Sequence, residues 1–313
     1  MSRPRRTTAL LALLAIPALA ALSACGTDRA PAARASGDPT SPPASATTTT
    51  SAPPASSASS SASTSPSAPA TSARVGVYYL GTGGGKHPRP VLFREFRAVN
   101  AAAGADRIRA AVAAMLHDAP ADRDYSSLWP RSTKVLGVTI SGDVATVNLS
   151  SDAQSASASS SQEGASVQQL VHTVTAAAPA VRGVRLRFDG RTRDSLWGHV
   201  DTSGTLRRAP AIDWLAAVWV VEPGEGARVG RTFTVDGVAT VFEGSVSWHV
   251  TQGGRTLASG AAQATEGAPG RGTFRASVTL PRGTTGNVVF TAFESSAEDG
   301  RMLNPDTKTF VVG

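Results

Sequence analysis

The chain has 313 residues, a formal net charge of +7, five histidines and one cysteine, Cys25. A single cysteine excludes an intramolecular disulfide framework. The absence of any Lys/Arg run interleaved with aromatics argues against a nucleic-acid partner despite the basic balance.

The N-terminus opens with Arg3, Arg5 and Arg6, followed by the apolar run TALLALLAIPALAALSA up to Cys25. A basic segment before an apolar one is an export signal, and this run is short for a membrane-spanning helix, which needs about 20 residues. Leu22, Ser23, Ala24 and Cys25 closely resemble the bacterial lipobox, in which the cysteine is lipidated and becomes the first mature residue. The resemblance implies a signal peptide over residues 1–24 and a lipid anchor on Cys25. The expected localisation is the extracytoplasmic face of the cell membrane, since two acyl chains hold stably where one does not. Removing the signal takes away three arginines and no acid, leaving +4.

Residues 25–73 carry that cysteine and a tether. From Ser36 to Ala73 there are 13 Ser, 9 Ala, 7 Thr and 7 Pro in 38 residues, with Asp38 the one charge. Such a segment offers no apolar area to offset the entropy of ordering, so a disordered tether is expected. Counted from Gly26, the 48 residues up to Ala73 reach at most ~150 Å extended and roughly 40 Å as a coil.

Residues 74–203 alternate strand and helix signals. Val75–Leu80 and Val91–Val99 read as strands on either side of GTGGGKH. That turn invites comparison with a phosphate-binding loop, G-x-x-x-x-G-K-[ST]. Leu80 stands where the first glycine belongs, His87 where the hydroxyl belongs, and Pro88 and Pro90 oppose the helix that would hold the phosphates. A connection between strands is expected instead. Asp106 is expected to cap a helix carrying Ile108, Val112 and Met115 at helical spacing. Leu136, Val138 and Ile140 then alternate into a Ser-Gly-Asp turn and Ala145, Val147 and Leu149 alternate out of it, a β-hairpin. Ser166 with Gln169 reads as a capping box opening a second helix that buries Val167, Leu170, Val171 and Val174. Val184, Leu186 and Phe188 form the last strand. The order ββ-α-ββ-α-β is an α+β arrangement with two helices on a small β-sheet.

LWPRSTKVLGVTISGDVATVNLS and QQLVHTVTAAAPAVRGVRLRFDG resemble the GerMN domain of spore-germination and envelope lipoproteins, whose fold is similar to ring-building modules. In that family the threonine of the second helix, here Thr173 or Thr175, and the FDG ending are typical, and the resemblance supplies no catalytic residue.

Residues 212–313 lose helical periodicity. Short apolar runs between Gly and Pro turns indicate roughly seven strands, the pattern of an all-β immunoglobulin-like sandwich. Trp219, Trp248, Phe233, Phe242, Phe274 and Phe293 are the expected large core side chains. VVEPGEGARVG, VDGVATVFEGSVSWHV and FTAFESSAEDG resemble the immunoglobulin-like domain of bacterial spore-germination proteins. Signal, tether, GerMN and this domain in order are similar to actinobacterial envelope lipoproteins.

Candidate chemistry is sparse. The histidines show no metal-ligand spacing, and His172 reads as a surface or boundary residue. No pattern points to a cofactor or a metal. Glu243 and Glu294 each follow a phenylalanine, so alternation turns each carboxylate away from the ring. They would hydrogen-bond loops or form ion pairs, or else serve a glycan hydrolase if held ~5–9 Å apart. Arg182, Arg185, Arg187 and Arg191 form a basic patch around the last strand of the middle domain, either solvated or facing an anionic partner. The expected function is a non-enzymatic accessory or adaptor module binding an envelope protein complex or cell-wall polymer. The alternatives are an oligomeric scaffold, a homo-oligomer built through the GerMN domain, and the hydrolase.

Overall fold

A computed structural model describes residues 71–84 and 89–313. The export signal, the motif Leu22–Cys25, the tether through residue 70 and residues 85–88 of the glycine-rich turn lie outside the described residues.

β1 (Thr71–Thr82) and β2 (Pro90–Ala101) pair antiparallel along their full length, Thr71 facing Ala101 and Thr82 facing Pro90. The first strand therefore takes in Thr71–Ala73, which composition alone assigned to the tether; ladder bonds to Val99–Ala101 extend it where apolar side chains are lacking. Val75–Leu80 are buried without a break, as in a strand covered on both faces. Gly83 N–H donates to the Arg89 carbonyl at 2.8 Å, closing the hairpin. Among the described residues strand leads to strand here, with no helix N-terminus to cradle a phosphate.

α1 (Ala105–His117) buries Ile108, Ala111, Val112 and Met115 completely. Gly104, at φ 79°, occupies the N-cap; Asp106 lies in the first turn and makes no capping bond. Its charge suits the positive end of the helix all the same. β3 (Val135–Ser141) and β4 (Val144–Leu149) form the expected hairpin, and β5 (Gly183–Phe188) joins β4 in parallel. Of the three alternating apolar residues on β3, Val138 is buried whereas Leu136 and Ile140 are exposed. β3 is the sheet edge, and its register shifts between Val135 and Gly137.

α2 (Ser160–Ala177) begins seven residues before the expected capping pair. Ser159 is the N-cap and Gln162 completes the box. Ser166 and Gln169, in the same S-x-x-Q pattern, sit fully buried inside the helix, where Ser166 donates to the Gln162 carbonyl and Gln169 Nε2 to the Tyr78 carbonyl. What allows the earlier start is the company of the first turns. Glu163 is buried but collects backbone N–H groups from Trp197 (2.8 Å), His199 (2.7 Å) and Val200 (3.2 Å). Gly164 leaves room for the Trp214 ring, which a Cβ would meet at 2.5 Å. The domain is thus α+β, its strands divided between the β1–β2 hairpin and the β3–β4–β5 sheet, with both helices packed on them.

A short helical turn, α3 (Ala211–Trp214), leads into the second domain: β6 (Val218–Glu222), β7 (Arg228–Val229), β8 (Thr232–Ala239), β9 (Ser245–Gln252), β10 (Arg255–Gln263), β11 (Gly272–Thr279), β12 (Gly286–Ser295) and β13 (Met302–Val312). One sheet runs β10-β9-β12-β13-β7 and the other β11-β8-β6. β10, RTLASGAAQ, has too few large apolar residues to stand out in the sequence; the Gly253-Gly254 turn, both residues at positive φ, folds it back onto β9. Trp248 and Phe274 are core residues as expected, Phe233 and Phe293 are half-buried, and Phe242 is 66% exposed.

Trp219 belongs to the other core. It comes from β6 of the second domain but packs with the buried cluster of the first, its ring 6.5 Å from that of Tyr78. A buried polar joint lies beside it. Lys308 on β13 donates to Asp122, to the Tyr125 hydroxyl at 2.6 Å and to Asp306 at 3.1 Å, while Asp306 accepts the Val220 N–H at 2.6 Å. Burial opposes the ammonium charge, but the Asp306 and Asp122 carboxylates outweigh it and raise the Lys308 pKa. Ala216 N–H also donates to the Leu92 carbonyl at 3.0 Å. Residues 71–313 hold both cores and this joint complete, within one compact unit.

Candidate functional site: an arginine-lined cleft

A cleft of about 680 Å³ opens where β1, β2, the end of α2 and the segment entering the second domain converge. Five arginines line it, Arg74, Arg94, Arg182, Arg207 and Arg208, and no carboxylate does. Its floor is set by Gly76 on β1: a Cβ there would stand 2.9 Å from Arg94 Cδ, so the absent side chain lets Arg94 lie across the strand.

Aromatic rings hold two of these guanidiniums. Arg74 and Arg94 lie 4.5 and 4.6 Å from the Phe96 ring centre, Arg94 lies 5.5 Å from Trp219, and Arg271 of the second domain lies 4.4 Å from Trp219. This guanidinium–aromatic ladder crosses the domain joint and fixes charges that would otherwise spread. Burial lowers the Arg271 pKa to about 10, still protonated near neutrality.

The five charges differ in their partners. Arg74 pairs with Glu222. Arg207 reaches the Arg182 carbonyl at 3.5 Å and lies 3.8 Å from Asp143. Arg208 Nε donates to Thr175 Oγ1 at 2.7 Å and its Nη2 to the His172 carbonyl at 3.3 Å. Arg94 and Arg182 have no side-chain acceptor or carboxylate among the described residues, and the buried Arg94 Nε is unpartnered. Thr173 serves the backbone, its Oγ1 accepting the Tyr78 N–H at 3.1 Å.

His172 is a correction to the surface reading: it is 2% exposed, its ring 5.0 Å from that of Tyr78, with both ring nitrogens unpartnered. Burial, then the charges of Arg208 and Arg271, hold its pKa down to about 3, so it is neutral under ordinary conditions.

The arginine patch around β5 is divided. Arg182 lines the cleft; Arg185 and Arg187 stand exposed on the outer side of β5, Arg185 donating to Thr205 Oγ1 at 2.9 Å, and Arg191 is exposed in the turn after it. Sequence reasoning missed Arg74, Arg94, Arg207 and Arg208 because they come together only through the hairpin register and the path of the segment after β5. FDG itself is a turn, with Asp189 and Gly190 at φ 48° and 77° and Gly190 N–H donating to Asn148 Oδ1 at 2.8 Å.

Glu243 and Glu294 line one shallow hollow, not the cleft. Alternation does not place Glu243, which sits at φ 53° in a helical turn after Phe242. Glu294 braces the turns around it, accepting from Phe242 N–H at 3.1 Å and Asn304 Nδ2 at 3.1 Å. Among the described residues no group of three or more His, Cys, Asp or Glu is arranged to hold a metal ion, and no helix is long and apolar enough to cross a membrane.

Fold and site together define a two-domain protein, an α+β module in contact with an immunoglobulin-like sandwich, with a basic cleft lined by residues between 74 and 208. Residues 76–194 match the family described as sporulation and spore germination, and residues 217–301 match the immunoglobulin-like domain of bacterial spore germination. The chain carries both of these domains, in that order. Neither family is described by a reaction. Comparison with curated proteins finds no match. Among solved structures, a Clostridium perfringens protein described as a lipoprotein is 22% identical, covering 44% of this chain and 88% of that one at a TM-score of 0.31. The tandem GerMN domains of the sporulation protein GerM from Bacillus subtilis are 16% identical, covering 44% and 46% at 0.35, and its first GerMN domain is 17% identical, covering 43% and 98% at 0.32.

Proposed function

We propose that this chain is a lipid-anchored, non-enzymatic accessory protein of the cell envelope that works by binding. Cys25 would hold it to the outer face of the membrane, and the two-domain body would engage an anionic partner there. The observation that carries this reading is the cleft: five guanidiniums, two of them, Arg74 and Arg94, held against the Phe96 ring, with no carboxylate in the lining. A long-range positive field of this kind steers and orients a negatively charged partner. The two family matches support an accessory role, since both are domains of spore germination.

Fractionation of cells carrying the chain tests the anchor and the body separately. Cys25→Ala should release the protein from the membrane fraction while leaving its partner attached. The reading fails if the released protein carries nothing and the membrane-bound protein carries nothing either.

A further inference from the structure

The cleft's charges are unequal, and the inequality identifies a ligand. Arg208 is spent on Thr175 and the His172 carbonyl, Arg74 on Glu222, and Arg207 faces Asp143. Arg94 and Arg182 remain, on opposite contributing segments, β2 and the turn before β5, both facing the same cavity and neither meeting a carboxylate. Packing five like charges around one cavity is costly. That cost falls when an oxyanion enters.

We propose that this cleft binds the phosphate group of a phosphate ester, with Arg94 and Arg182 as its principal ligands and Arg74 beside them. A carboxylate is flat and is satisfied by one bidentate guanidinium. A phosphate directs its unesterified oxygens out of one plane and takes forks from two or more arginines at once. Arginines approaching from separate segments match the second geometry. The cavity, at about 680 Å³, is far larger than one phosphate, leaving space for the ester substituent on either side. Two sources carry this chemistry at a membrane surface, a phosphodiester-linked wall polymer and an anionic phospholipid headgroup. The assignment deepens the adaptor reading and rests on it for the setting, but not for the chemistry of the site.

Calorimetric titration of the mature chain from Gly26 onward, which lacks the lipidated cysteine, tests it. The probes are inorganic phosphate, poly(glycerol phosphate), polyglutamate as a carboxylate control, and vesicles of phosphatidylglycerol in phosphatidylcholine. Poly(glycerol phosphate) should bind saturably and more tightly than polyglutamate of equal charge. Arg182→Ala, at an exposed side chain, should weaken it about tenfold, and Arg94→Gln should do the same, with thermal midpoints of the Arg182 variant unchanged. Binding to vesicles alone, lost in the same variants, keeps the phosphate assignment and names the headgroup as its source. Equal affinity for polyglutamate, indifference to both substitutions, or no saturable binding overturns it. Phosphate binding that persists while cells show no partner refutes the adaptor reading alone; a partner retained without phosphate binding refutes this assignment alone.

Discussion

Replacing Lys308 with alanine should do more damage than any surface substitution of a lysine. Lys308 is 4% exposed, and its ammonium is shared by Asp122 and Asp306, each 3% exposed, and by the Tyr125 hydroxyl. Removing the cation leaves two buried carboxylates facing each other across the joint. Breaking a buried ion pair from one side costs about 3–5 kcal/mol. Because two acids lose their shared counter-charge, the loss should fall toward the upper end, at about 4–5 kcal/mol. The joint spans the domains, so urea unfolding followed by tryptophan fluorescence should split from one transition into two, Trp219 reporting the interface and Trp248 the sandwich. The triple variant Lys308→Met, Asp122→Asn, Asp306→Asn should recover part of the loss, because it removes the charges together. A loss below about 1 kcal/mol, or a triple variant worse than the single one, would refute the reasoning.

Acid stability should fall in two windows. His172 has a folded pKa near 3 against an ordinary value of 6.5, so its neutral form stabilises the protein above pH 6.5 and that contribution is lost as pH falls, by about 2 kcal/mol at pH 5. His172→Leu, which removes two unpartnered nitrogens from the core, should fold at least as stably at pH 7 and flatten this slope; a large loss at pH 7 would show a hidden partner for the ring. Burial pushes the Glu163 carboxyl up, but the backbone N–H groups of Trp197, His199 and Val200 outweigh it and hold its pKa low, so its contribution is present above about pH 4.3 and is lost below that. Glu163→Gln should cost about 2–4 kcal/mol in urea denaturation, because the amide nitrogen opposes backbone donors; no measurable loss would contradict the bonding described.

The elements were largely legible, and the failures have a common physical origin. Strand and helix order followed from periodicity because Ile108, Val112 and Met115, or Ala145, Val147 and Leu149, bury at their natural spacings. The start of α2 was misread because Glu163 and Gly164 look unlike helix interior until the Trp197–Val200 loop and Trp214 are in place around them. His172 looked like a boundary residue because nothing in the sequence says that α2 is covered on nearly every side. The cleft was legible in one residue, Arg182, since its other arginines gather from β1, β2 and the segment after β5 through tertiary pairing. The same applies to Trp219, whose alternation marks it as core without saying which core.

The most direct test of the account places a photo-crosslinking amino acid at Arg182, at the mouth of the cleft, in cells carrying the full chain, with Arg255 on the exposed end of β10 as the comparison site. An adduct is expected from position 182 and none from 255, with loss of the 182 adduct when Arg94→Gln is added. Adducts that form equally at both sites, or that survive Arg94→Gln, would contradict the claim that this cleft is where the protein meets its partner.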